Sequence, residues 1–316
     1  MKIERSHLMF GLMCLIWGAT WIAVKAGISA VPPVFFAGTR FTVAGALLLL
    51  FLGLRGDPLK ISLPDLPRLI SVMLLMVVAT YALLFWGAQF VSSGLTAILD
   101  LAFMPVALLS IGVMFGEDRF TYARGIGVAI GIGGLFILFG PKAFGGTSES
   151  TSAELLGGSA IVVSALTYSV GSVLARPLLR TYPALLLSGL MLLGGGLLLL
   201  SGAIGLEPGA AQAMSGRWGA AAWAGWLFLV LFGSLIAFTI FLQLVEEWGA
   251  SRAGAYAFVS PAIAVLLGVW VFGEVVTAMD ALGMATMLAG AWLTLRPAPA
   301  ANKDLMDMQP RTRRLQ

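Results

Sequence analysis

The chain has 316 residues, of which 59% are hydrophobic and 11% charged, with a mean hydropathy of +0.97 and a formal net charge of +4. A soluble domain carries about 25% charged residues, so this composition excludes a water-soluble globular fold and specifies an integral membrane protein. The small positive charge reflects Lys and Arg at the membrane edges and excludes a nucleic-acid partner; the lipid bilayer is the partner implied.

A helix needs about 20 apolar residues to cross a bilayer. Ten stretches qualify. Helix 1 covers about 7–27, and its Trp and Lys flanks read as a retained span rather than a cleaved leader. Pro32-Pro33 turns the chain into helix 2, about 33–54, which the polar loop Arg55–Lys60 ends. Helix 3 covers about 68–90; Ser92-Ser93-Gly94 turns it into helix 4, about 94–115. The corner Glu117-Asp118-Arg119 precedes helix 5, about 121–140. Helices 6 to 10 follow at about 154–175, 183–204, 219–244, 251–272 and 278–296. The fold expected is all-α, with a first unit over 1–144, a Ser/Thr/Gly linker over 145–153, a second unit over 154–297 and a disordered cytoplasmic tail over 298–316.

Lys and Arg set the orientation. With the N-terminus inside, fifteen of the nineteen lie on the cytoplasmic side, and only Lys142 and Arg217 lie on the other. Lys25 and Arg40 remain within helices. Both termini are therefore expected in the cytoplasm of a bacterial inner membrane.

The chain also repeats itself. A small-residue entry near Ser93, a proline at 105 and a Phe-Gly-Glu corner at Glu117 recur as Gly249, Pro261 and Glu274. Gly133 and Gly290 each follow their glutamate by sixteen residues. Because each unit has five spans, the second enters from the opposite side. Such inverted repeats are a signature of secondary transporters, whose substrate lies near the midplane between halves.

These residues, with the run Trp17-Gly-Ala-Thr-Trp21 in helix 1, resemble the drug/metabolite transporter superfamily, EamA type, over residues 7–296. Within it the chain looks like the aromatic amino-acid exporter (YddG-type) branch. The resemblance implies a small-molecule cavity between helices 1–4 and 6–9, with helices 5 and 10 peripheral.

No catalytic constellation is evident, so the chain does not read as an enzyme, and no cofactor is implied. His7 is the only histidine and Cys14 the only cysteine, which leaves no metal site and no intrachain disulfide. Gly131-Ile-Gly133-Gly134 lies inside an apolar helix and reads as packing.

Arg40 and Asp100 lie at similar depths below the outer surface. They are expected to form an ion pair, or alternatively to meet a substrate's carboxylate or ammonium or to carry a proton. Helix 1 has no intramembrane acid of the kind small multidrug pumps use, which leaves facilitated diffusion open. Glu117 and Glu274 are expected to tie loops or cap helices. Glu246 and Glu247 lie at the cytoplasmic mouth, placed to pair with Arg252 or to gate the inner opening.

Tyr81, Phe85 and Gln89 recur at i, i+4 and i+8 in helix 3, and Trp17 and Trp21 do so in helix 1. Ser164 and Tyr168 in helix 6, Phe238, Phe241 and Gln243 in helix 8, and Tyr256 in helix 9 complete an expected substrate pocket. Aromatic walls with hydroxyl and amide handles suit an amphipathic solute such as an aromatic or large apolar amino acid. A multidrug or cationic-metabolite exporter is the alternative on the same scaffold; an intramembrane assembly or sensor protein is a third. Pro105 and Pro261 interrupt their helices' hydrogen-bond ladders and are candidate hinges. The oligomeric state is not legible.

Overall fold

The computed structural model describes residues 5–91, 93–144, 152–272 and 275–296. Most of the expected linker, Glu274 of the second corner and the 298–316 tail lie outside the described residues.

Ten helices are long and apolar enough to cross a membrane. They are α1 (Arg5–Ile28), α2 (Pro33–Leu54), α3 (Leu63–Gly87), α4 (Leu95–Met114), α5 (Tyr122–Gly140), α6 (Ser152–Leu179), α7 (Ala184–Leu206), α8 (Ala220–Trp248), α9 (Ala250–Trp270) and α10 (Ala278–Leu295). No strand occurs among the described residues.

Local chemistry explains the boundaries. Pro32 and Pro183 precede the first turns of α2 and α7, where a missing backbone N–H costs nothing. Gly249 ends α8 at φ +85°, a conformation open to glycine without strain. Thr277 and Asp280 form a reciprocal capping box at the start of α10.

Packing displays the repeat. α2 lies along α7 and α5 along α10, each helix against its counterpart. The contact of α4 with α6 is matched by α9 with α1, and that of α3 with α6 by α8 with α1. Each half therefore wraps its first helix in the partner half's third and fourth. The result is an all-α membrane fold of two inverted five-helix repeats.

In lipid, close helix contact relies on small residues rather than on expulsion of water. A Cβ on Gly290 would stand 2.5 Å from the Gly131 backbone nitrogen, so α10 and α5 can meet only as glycines there. Of the apolar run in α5, Gly131 and Gly134 face neighbours, whereas Gly133 faces open space. The packing expected for that run holds for two of its three glycines.

The sequence periodicity missed two wide π-helical stretches, Leu74–Ala79 in α3 and Leu229–Phe238 in α8. They fall on counterpart helices of the two halves. The Thr80 hydroxyl donates to the Leu75 carbonyl at 2.7 Å, five residues back, and so satisfies a carbonyl within the first wide turn. α9 is interrupted at Gly254-Ala255, just before Tyr256.

Candidate functional site

A cavity of about 140 Å³ lies between the halves. Trp17, Thr20, Trp21 and Val24 of α1 line it, with Arg40 and Phe41 of α2. α3 supplies Thr80, Tyr81, Leu84 and Phe85, and α4 supplies Asp100, Leu101 and Met104. The second half contributes Tyr168 of α6, Gly233, Ser234 and Phe238 of α8, and Tyr256 and Ser260 of α9. The first-half residues lie in the C-terminal parts of α1 and α3 and the N-terminal parts of α2 and α4. The cavity therefore runs from mid-bundle toward the end opposite the start of α1. Trp21, 39% exposed, stands near that end.

The walls are interlocked aromatics. Trp17 meets Tyr256 edge-on at 4.4 Å between ring centres, and its Nε1 donates to the Gly233 carbonyl at 3.4 Å. Phe41 meets Tyr81 at 4.6 Å, and Tyr81 lies 6.0 Å from Phe85. The Tyr256 hydroxyl donates to Met104 Sδ at 2.9 Å, joining the halves. The two wide turns act here. One lies just before Thr80 and Tyr81, and the other carries Gly233, Ser234 and Phe238 at the wall.

Arg40 and Asp100 both face this cavity, 6% and 7% exposed. The expected ion pair is absent among the described residues. The Arg40 guanidinium instead lies 4.4 Å from the centre of the Phe41 ring and 5.4 Å from that of Tyr81. Similar depth along two helices did not bring the head groups together; both line the cavity without pairing.

Trp17, Trp21, Tyr81, Phe85, Tyr168, Phe238 and Tyr256 are brought together as expected, and four other expected residues are not. Gln89 lies past the end of α3, so the i+8 extrapolation from Tyr81 fails; it borders a second cavity, and its Nε2 donates to the Phe85 carbonyl at 3.3 Å. The Ser164 hydroxyl turns back to the Ile161 carbonyl at 2.7 Å. Phe241 stands behind the wall, against the rings of Trp17, Tyr168 and Tyr256. Gln243 is five residues past Phe238, which at 3.6 residues per turn points it away from the cavity.

Sequence reasoning missed Thr20, Phe41, Thr80, Met104, Ser234 and Ser260. Thr20 sits inside the Trp17–Trp21 run, and Ser260 follows Tyr256 at i+4, so both were within reach of the pattern. Ser234 was not, because its direction depends on the wide turns of α8.

The second cavity, about 660 Å³, lies beyond α3 against α7. Glu207 borders it and accepts from the Val34 and Phe35 backbone N–H groups at 2.9 and 2.7 Å, capping α2 across the halves.

The other end of the bundle, where α1 begins and α10 ends, is clasped. Glu117 Oε2 accepts from Arg180 at 2.7 Å and lies 3.4 Å from Arg176, whose guanidinium also reaches the Glu117 carbonyl. Asp118 Oδ2 accepts from the Ser251 N–H at 3.1 Å at the start of α9, while Oδ1 lies 3.6 Å from Arg124. Ser6 bonds Glu247, and Trp248 packs on His7 and Phe10. Arg252 lies over the Trp248 ring and donates to the Leu295 carbonyl. The expectation that Glu117 ties a loop describes its contacts.

Ten spans in two inverted halves, a central cavity and one closed end define a multi-pass membrane transporter. Residues 5–140 and 155–296 match the EamA-like transporter family, and the chain belongs to that family. It is 30% identical over 294 residues to the "Uncharacterized inner membrane transporter YedA" of Escherichia coli (strain K12), covering 91% of this chain and 90% of that one. It is 26% identical over 279 residues to the "Uncharacterized transporter YoaV" of Bacillus subtilis (strain 168), covering 88% and 92%. A solved structure titled "Crystal structure of protein" shares the fold at a TM-score of 0.78 and 20% identity, over 91% of this chain and 95% of that one.

Proposed function

We propose that the protein exports amino acids with aromatic or large apolar side chains, and related small metabolites, by alternating access across the bacterial inner membrane. Both termini then lie in the cytoplasm, which makes the clasped end the inner gate. The observation that carries this reading is the cavity itself. Its aromatic walls come from both halves, and one basic and one acidic side chain, Arg40 and Asp100, face into it. Such a lining suits a solute with an apolar body and a charged head. The first half is taken as 1–144 and the second as 154–297, rocking with Pro105 of α4 and Pro261 of α9 as flexible points where a backbone hydrogen bond is missing. A multidrug or cationic-metabolite exporter would also use Asp100, but the Arg40 guanidinium in the same cavity repels an organic cation.

The test is uptake of labelled phenylalanine into proteoliposomes. Tyr81→Ala removes a ring that packs on Phe41 and Phe85 and should lower uptake about tenfold, the equivalent of about 1.4 kcal/mol. Gln243→Ala, outside the cavity, should leave uptake unchanged. Wild-type uptake in Tyr81→Ala would place the path elsewhere.

A further inference from the structure

We infer that the cavity reads its substrate as a zwitterion, with Arg40 taking the carboxylate and Asp100 the ammonium. This deepens the transport reading and rests on it. Two opposite charges, each more than nine-tenths buried in a membrane bundle, would ordinarily neutralise each other. These two do not. The Arg40 Nε has no hydrogen-bond partner among the described residues, and the guanidinium is held in place by the Phe41 and Tyr81 rings. No described residue donates to the Asp100 carboxylate or pairs with it.

Neither side chain thus has an opposite charge paired with it among the described residues, and a ligand can bring one to each. A free α-amino acid supplies both counter-charges in one molecule. Its carboxylate matches the planar guanidinium fork, its ammonium matches the Asp100 carboxylate, and its side chain is left to the aromatic wall. An amine or an ester leaves Arg40 buried and unmatched, and a simple carboxylic acid does the same to Asp100. The charges belong to the first half alone. Counting twelve residues from Ser93 to Pro105 and from Gly249 to Pro261 places Asp100 opposite Tyr256 in the repeat, so the second half offers a neutral phenol where the first offers a carboxylate.

The test uses the purified full chain in lipid nanodiscs and calorimetric titration with matched sets. One set is phenylalanine, phenylalanine methyl ester and phenylpropionate; the others are the leucine and alanine equivalents. The zwitterion should bind about thirtyfold or more tightly than the ester or the acid of its set. Arg40→Gln should abolish the preference for the zwitterion over the ester, with the ester, freed of the guanidinium's repulsion, bound at least as tightly as by wild type. Asp100→Asn should abolish the preference for the zwitterion over the acid, with the acid likewise bound at least as tightly. Retained ester or acid binding shows that each variant is folded. Equal binding of zwitterion, ester and acid in every set, binding by no zwitterion, or a wild-type preference surviving in both variants would overturn the inference. A zwitterion preference confined to alanine would support it and would instead sink the aromatic-cargo reading.

Discussion

Asp118→Ala should destabilise the protein by about 3–5 kcal/mol, the loss expected when one member of a buried charge pair is removed. The side chains of Asp118 and Arg124 are each only 5% exposed, and Arg124 would be left buried with its counter-charge gone. The same substitution removes the acceptor for the Ser251 N–H, which caps the first turn of α9. Neighbouring space is tight as well: a side chain on Gly249 would run into the Asp118 carboxylate, so the α8–α9 junction is built against this residue. Asp118→Asn keeps an oxygen for Ser251 and loses only the charge, so its effect should fall between alanine and wild type. Thermal unfolding of the purified variants in detergent checks the order. A melting temperature for Asp118→Ala equal to wild type would mean that the clasp contributes nothing.

The second large effect concerns Trp17. Its ring bears on Tyr256 and Phe241, and its indole N–H reaches the Gly233 carbonyl in the wide part of α8. One first-half side chain therefore touches two second-half helices at the cavity wall. Truncating a core tryptophan to alanine costs about 3–5 kcal/mol. Trp17 is only partly buried, so a stability loss of about 2–3 kcal/mol is the appropriate expectation, and loss of the wall itself should lower transport efficiency about tenfold or more. Trp17→Phe keeps the ring contacts and loses one long hydrogen bond, and should cost only severalfold. Initial rates of labelled amino-acid efflux from loaded proteoliposomes would separate the two. Wild-type efflux in Trp17→Ala would show that this wall is not on the path.

The architecture was legible in the sequence because its signals were long and redundant. Ten apolar runs give the span count, the repeated proline and glutamate spacing gives the duplication, and five spans per unit makes the second copy inverted. The site was legible only in part. Trp17 and Tyr81 could be placed because regular helical spacing holds locally around them. Gln89 and Gln243 could not, since the first lies past its helix and the second points away from the face that Phe238 shares with the cavity. Ser234 depends on a π-helical stretch that no sequence period announces. The Arg40–Asp100 pair failed for another reason. Burial cost argues that two opposite charges should meet, and in a protein that binds solutes the same cost can be left for the ligand to relieve. Asp118 was read as part of a polar corner; its partner Ser251 is 133 residues away, a distance no local pattern bridges.

The most direct measurement is side-specific labelling of Thr20→Cys, made in a Cys14→Ser background so that no other thiol is present. Thr20 lines the cavity without being fully buried. With the clasped end closed, a membrane-impermeant thiol reagent should label it from the side opposite the termini, and saturating amino acid should slow that labelling about tenfold or more, as expected when a bound ligand occupies most sites. A cysteine that stays unreactive from both sides would contradict a solute path between the two halves, and labelling that no amino acid slows would contradict amino-acid cargo on that path.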